Sequence, residues 1–418
     1  MRSDPLSFAS AVSRLVLALA LITSSSSAVE WQIGIVRDGT VFADMSDRSL
    51  SLDAEGCPGI AYGSDYLYYA QFDGTTWSRV LADPSPGVGR FASAARDLAG
   101  FPHVCYYDEV NGDLKHAFES LDGWHAETVD ASGDVGRFAS MAVDGDGGVH
   151  AGYYDASDGD LKYACQDGFG WIIQPVATLG DVGQHTSIAV DDARRPHISY
   201  YDASNGDLRY AYRDSDGWHT EVVDADGDAG RHTSIVADGD GRVSISYFVG
   251  ASVKCAHRSV EGWDVETVRA HEEVGGYTSL APDGCGGLWL SWYGDYALWY
   301  AVWDGEGWHA QCVPNGGDSG ECCSLALDTE GILHLSYRGY SAIRHGSLGG
   351  AGWQFETVDT HGSSGEDLSL AIDAEGVPHI SFPDQDCLKR RRTILIDCGA
   401  NTCFKVSVVF NDGEMMAR

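Results

Sequence analysis

Residues 171–217 read WIIQPVATLGDVGQHTSIAVDDARRPHISYYDASNGDLRYAYRDSDG. Four short runs stand out: WIIQPVA (171–177), TSIAVD (186–191), PHISYYD (196–202) and LRYAYR (208–213). Each roughly alternates apolar and polar residues, the period of a half-buried strand. Gly, Asp or Asn separates every pair, supplying the backbone freedom and local acceptors that tight hairpin turns require. The stretch therefore predicts four antiparallel strands in about 46 residues.

The same unit recurs along the chain. Tryptophan returns at Trp31, Trp77, Trp124, Trp171, Trp218, Trp263, Trp308 and Trp353. Serine holds a column at Ser49, Ser93, Ser140, Ser187, Ser234, Ser279, Ser324 and Ser369, with an aspartate four residues after each. A third column is always aromatic: Tyr62, Tyr106, Tyr153, Tyr200, Tyr247, Trp292, Tyr337 and Phe382. Repetition at this period, four strands to the unit, is the signature of an all-β β-propeller. The column count predicts eight four-stranded blades, with seven as the alternative if the degenerate first unit forms none. A residue needed once per blade meets a local structural need, so the aspartate column is read as an acceptor for turn N–H groups. Five strand histidines, His103, His150, His197, His334 and His379, are structural by the same reasoning. The chain opens with a Trp strand and ends with SLAID (369–373) and PHISF (378–382), which have no complete outer partner. Trp31–Arg37 is expected to close the ring by joining that last blade.

The SLALD, PHISYYD and DLKYA alternation resembles secreted bacterial β-propeller repeat proteins, and more loosely NHL-repeat propellers, over residues 31–386. The resemblance implies a binding or scaffold module. No sialidase Asp-box, SxDxGxxW, occurs. After Asp386 the pattern stops. TILIDCGAN (393–401) resembles the opening strand and loop of FkbM-type methyltransferases, with Asp397, Gly399 and Asn401 matching the start of the cofactor loop. Cys403 replaces an expected glycine, and too little chain follows to build that fold. The expected division is a signal peptide over 1–28, a propeller over 29–386 and an irregular or truncated tail over 387–418. A third strand for the last blade is the other reading of that tail; a truncated methyltransferase fusion is the remote one.

Arg2 and Arg14 flank the start, Leu15 to Ile22 form a short apolar run, and Ser26 and Ala28 suit a cleavage site after Ala28. This reads as a secretory signal, placing the protein outside the cell or in the periplasm. Sixty-two acidic against 27 basic residues give a formal charge of −35, which argues against nucleic acid and anionic membrane as partners. Eleven cysteines occupy no repeating column; Cys312 with Cys322 or Cys323 is the expected local bridge.

Function is expected on loops of one face, recognising a glycan or an extracellular protein. Arg90, Arg137 and Arg231 follow the turn in units two, three and five, and His185 follows Gln184 in unit four. Glu321, Glu366 and Asp367 make the other side acidic. In the sixth unit Trp299 and Trp303 replace charged residues on one strand face, with Trp289 nearby: either they form an exposed aromatic patch, or the outer strand or a neighbouring blade covers them as a local core variation. DADGDAG (224–230) offers Asp224, Asp226 and Asp228 as a weak calcium candidate, since alanine replaces the required glycine and no glutamate closes the loop. No other cofactor is expected. No nucleophile elbow, HExxH or phosphate loop occurs. The enzymatic alternative, a glycan-acting hydrolase or lyase, rests on architecture alone.

Overall fold

The computed structural model describes residues 32–37, 48–63, 65–238, 241–271, 276–314, 320, 322–339, 342–360, 368–387 and 390–397, with side chains from 48 to 382. Among the described residues every regular element is a strand. Seven blades, each of four consecutive antiparallel strands, span 50–83, 88–130, 135–177, 182–224, 229–270, 276–312 and 324–359; they are numbered 1 to 7 here. The first strands of successive blades lie side by side around the axis, and each blade's Trp strand lies outermost.

Blades of this kind number seven, the alternative count, and not eight. The physical reason is that the last unit supplies only three consecutive strands and takes its outer strand from the start of the chain. The remaining sheet is composite, in the order Ser369–Ile372, Pro378–Cys387, Arg390–Asp397 and Gln32–Arg37. The N-terminal strand thus pairs beyond the C-terminal ones, Gln32 opposite Asp397, as expected from the orphan strand at the start. Arg390–Asp397 corrects the expectation of an irregular tail from 387, because its alternating TILID run pairs with Pro378–Cys387 as a third strand. Residues 1–28, Trp31, Gly399, Asn401 and Cys403 lie outside the described residues.

Each repeated column does a separate job. The aspartates cap the turn between first and second strands: Asp144 Oδ1 accepts from the N–H of Asp146 and Gly148 at 2.9 and 2.7 Å. Equivalent bonds occur at Asp53, Asp97, Asp191, Asp238, Asp283, Asp328 and Asp373. The histidine column backs this device: His150 Nε2 lies 3.2 Å from Asp144, and His197 Nε2 3.3 Å from Asp191. Serines stitch neighbouring inner strands. Ser93, Ser140, Ser187, Ser279 and Ser324 each accept the backbone N–H of a residue in the next blade.

The aromatic column pins second strands to the seam with the preceding blade. The hydroxyl of Tyr153 donates to Asp130 Oδ2 at 2.8 Å, and Lys162 approaches the same oxygen at 2.7 Å. Tyr106, Asp83 and Lys115 repeat the arrangement, as do Tyr247, Asp224 and Lys254. Burial alone would raise these carboxyl groups, but the lysine and tyrosine donors outweigh it and hold all three below the usual aspartate value.

The expected cysteine bridge does not form. Cys312 is an exposed free thiol, whereas Cys323 is buried with its sulfur 3.4 Å from the Tyr277 carbonyl.

Candidate functional site at the channel mouth

The inner strands of blades 2 to 5 begin V-G-R-F, V-G-R-F, V-G-Q-H and A-G-R-H. The glycine is sterically required: a Cβ on Gly136 would stand 2.8 Å from the Leu114 backbone, and one on Gly183 equally close to Leu161. Both adopt φ above +100°, which glycine alone takes readily. Two residues on, the pairing register slips between Arg137 and Ser140 and between Gln184 and Ser187. This bulge places the residue after Arg or Gln, and in blade 6 the one after Gly276, in the left-handed region: Phe91, Phe138, His185, His232 and Tyr277 have φ between 51° and 61°. Such backbone costs a non-glycine residue about 1 kcal/mol or more.

The bulges aim five consecutive aromatic side chains at one another around the axis. Centroid separations run 5.2 Å for Phe91–Phe138, 4.9 Å for Phe138–His185, 5.0 Å for His185–His232 and 5.3 Å for His232–Tyr277. His232 is exposed and Tyr277 is 39% exposed, so the arc presents aromatic surface outward. Burial, the neighbouring His232 and Arg231 push the His185 imidazole down to about 4; His232 keeps an exposed edge, yet partial desolvation by its neighbours, with Arg231, lowers it too. Both rings are neutral at neutral pH. Deeper in the channel, Arg48 reaches across from the start of blade 1 to the Ile188 carbonyl at 2.6 Å and Ser187 Oγ at 3.2 Å.

Around the arc stands a repeated polar rim. Tyr107 donates to Asp134 at 2.7 Å, and Arg137 grips that carboxylate at 2.6 and 3.2 Å. Tyr154, Asp181 and Gln184 repeat this one blade on, then Tyr201, Asp228 and Arg231. Arg90 pairs with Glu109 at 3.3 Å. A cleft of about 810 Å³ opens between blades 2 and 3, walled by Arg90, Phe91, Asp134, Arg137 and Phe138. The arginines are therefore not a bare basic patch, because each meets a carboxylate from its own rim. Their expected acidic counterparts, Glu321, Glu366 and Asp367, lie outside the described residues.

Of the residues expected from sequence, the structure brings Arg90, Arg137, Arg231 and His185 to this mouth. Missing from that expectation were Phe91, Phe138, His232, Tyr277 and Arg48. The first four carried a signal, an aromatic residue directly after each turn arginine or at its equivalent position.

The tryptophans of blade 6 do not form one exposed patch. Trp299 donates to the Gly294 carbonyl at 3.0 Å and is covered by Arg269, 3.6 Å from its ring. Trp303 stacks on His257 of blade 5 at 4.9 Å, whereas Trp289 packs toward blade 7. All three are half-buried, because neighbouring blades cover strand faces that sequence alone leaves open. The calcium candidates also separate. Asp224 is taken by Tyr247 and Lys254, and Asp228 by Tyr201 and Arg231. No cluster of three metal-ligating side chains occurs among the described residues.

No protein-family profile matches the chain, and no curated protein matches it in sequence. Solved structures match by shape. A structure described as the Dos1 propeller superposes with a TM-score of 0.57 at 9% identity, covering 90% of this chain and 98% of that one. A polysaccharide lyase of family PL25, an ulvan lyase, superposes with a TM-score of 0.50 at 13% identity, covering 79% and 96%. At these identities the likeness concerns architecture alone, and with the ring of blades described above it establishes a β-propeller.

Proposed function

We propose that this chain is a secreted binding module that recognises a glycan across the channel mouth. The observation that carries the reading is the unbroken arc from Phe91 to Tyr277, held in backbone that costs stability and rimmed by paired carboxylates and guanidinium groups. Sugars combine apolar C–H faces with hydroxyl groups that both donate and accept. Aromatic faces suit the first, and the Asp134–Arg137 and Asp228–Arg231 pairs suit the second. The bulge is common to blades 2 to 6, so the fold explains the backbone; it does not explain why five successive side chains are aromatic. An extracellular protein ligand is the second occupant this surface would accept.

The test is a glycan array probed with the wild type and with Phe138→Ala and His232→Ala. Binding by the wild type and a loss of about tenfold or more in both variants, with unchanged melting temperatures, supports the reading. Equal binding by all three, or none by the wild type, overturns it. Scoring the same glycans for depolymerisation addresses the alternative of a glycan-acting hydrolase or lyase.

A further inference from the structure

On the face opposite the mouth, where the short Asp-Gly turns lie, a groove of about 800 Å³ opens at the seam between blades 5 and 6. Its walls combine apolar Val236, Val243 and Leu288 with Trp303, His257 and Arg258. The volume falls within the range of small-molecule sites.

The seam departs in one decisive way from the three seams directly before it, where the outer-strand indole is latched to the preceding blade: Trp171 to Glu127 at 2.8 Å, Trp218 to Gln174 at 3.0 Å and Trp263 to Glu221 at 2.7 Å. Between blades 4 and 5, Arg258 completes the latch by binding Glu221 at 2.7 Å. One blade on, Trp303 stands at the position of Arg258, and the latch is gone. Trp303 Nε1, Trp308 Nε1 and His257 Nε2 are all buried without a hydrogen-bond partner. The other ring nitrogen of His257 is engaged by Ser244 at 3.0 Å. An unmade hydrogen bond at a buried donor costs about 1–3 kcal/mol, and two of these three groups line one groove.

We infer that this groove is a second ligand site, taking a small carboxylate carried on a flat apolar body. The carboxylate accepts from the Trp303 indole N–H and from His257 Nε2–H, the tautomer set when Ser244 donates to Nδ1. Arg242 and Arg258 line the groove together with Asp192 and Asp238, and the apolar walls take the body of the ligand. The site is independent of the glycan reading, since it lies on the other face and shares no residue with the arc.

Benzoate is the probe, with benzyl alcohol as its neutral match. In ¹H–¹⁵N spectra of the whole protein, the Trp303 indole resonance, identified by its loss in Trp303→Phe, is expected to shift on benzoate addition. Titration calorimetry is expected to give benzoate about tenfold tighter than benzyl alcohol, and Trp303→Phe about tenfold weaker than wild type. Phenylalanine keeps a ring to stack on His257 and removes the donor. An indole resonance that stays fixed at millimolar benzoate overturns the inference. So does equal affinity for the alcohol, or unchanged affinity in the variant.

Discussion

Between blades 4 and 5, Asp224 accepts from Tyr247 at 2.8 Å and Lys254 at 2.7 Å, and Glu221 holds both Trp263 and Arg258. Between blades 5 and 6, Arg269, Trp292 and Trp299 hold the places of Asp224, Tyr247 and Lys254, and His271 stands two residues beyond. There Trp292 donates to His271 Nε2 at 2.7 Å, and His271 Nδ1 meets Asp295 at 2.7 Å. Gly294 is needed for this, because a Cβ there would meet the His271 ring at 2.8 Å. One seam is an ion-paired lattice and the other an aromatic stack around His271. The difference teaches that the repeat fixes the backbone of a seam without fixing its chemistry, and a seam released from the common pairing is where unpaired donors and a groove are found.

The largest expected effect is that of acid. His103, His185 and His334 sit near 4 in the folded state, first through burial and then through a neighbouring histidine: His116, His232 and His345 respectively. Each lies below the ordinary value of 6.5, so the unfolded chain binds the proton more readily. Their contribution is complete above about 6.5 and is lost as pH falls toward 4, with a limiting slope of about 1.4 kcal/mol per pH unit for each fully buried ring. Asp83, Asp130 and Asp224 have depressed values, and their contribution disappears only below the ordinary aspartate value. Urea midpoints measured from pH 7 to pH 3 should therefore fall in two stages. His185→Gln should flatten the first; an unchanged slope would remove His185 from the account.

Asp224→Ala is expected to cost about 3 kcal/mol, because Lys254 and Tyr247 remain half-buried or buried with no acceptor. Nature offers a matched case. The equivalent position one blade earlier is Ala177, where Arg209 turns to Asp202 at 3.0 Å and the Tyr200 hydroxyl is left unpartnered. Lys254→Met in the Asp224→Ala background should recover part of the loss, and no recovery would show that the lysine is not the cause.

Much of this was legible in the sequence. The Trp, Ser and Asp columns gave strand order, turn capping and closure by the first strand, because each answers a need that recurs within one blade. Asp191→Ala should accordingly lower stability by about 2 kcal/mol, since its carboxylate accepts from Arg195 N–H at 2.8 Å and also pairs with His197; a denaturation midpoint equal to wild type would contradict the column's role. What pattern could not supply was packing between units. Trp299 and Trp303 left two readings open, exposed patch or covered core, because alternation locates a face without saying whether another blade covers it. The aromatic arc was missed for a related reason: Phe91 and Tyr277 are 186 positions apart by subtraction of their numbers, and only the ring makes them members of one surface.

The smallest expected effect bears most directly on the two seams. Trp263→Phe removes the indole N–H that reaches Glu221 at 2.7 Å, leaving the carboxylate with Arg258 alone. A charge-assisted bond of this kind, at a half-exposed carboxylate, contributes about 1 kcal/mol. Trp308→Phe deletes an indole N–H that has no acceptor, so it forfeits ring area but relieves an unmade hydrogen bond. Both variants lose a similar amount of packing, so subtracting one from the other isolates the polar contribution. Trp263→Phe should be the more destabilising by about 1 kcal/mol in urea denaturation at pH 7. Equal losses would mean that the Trp308 N–H is satisfied in solution, and the contrast between the seams would reduce to one of shape.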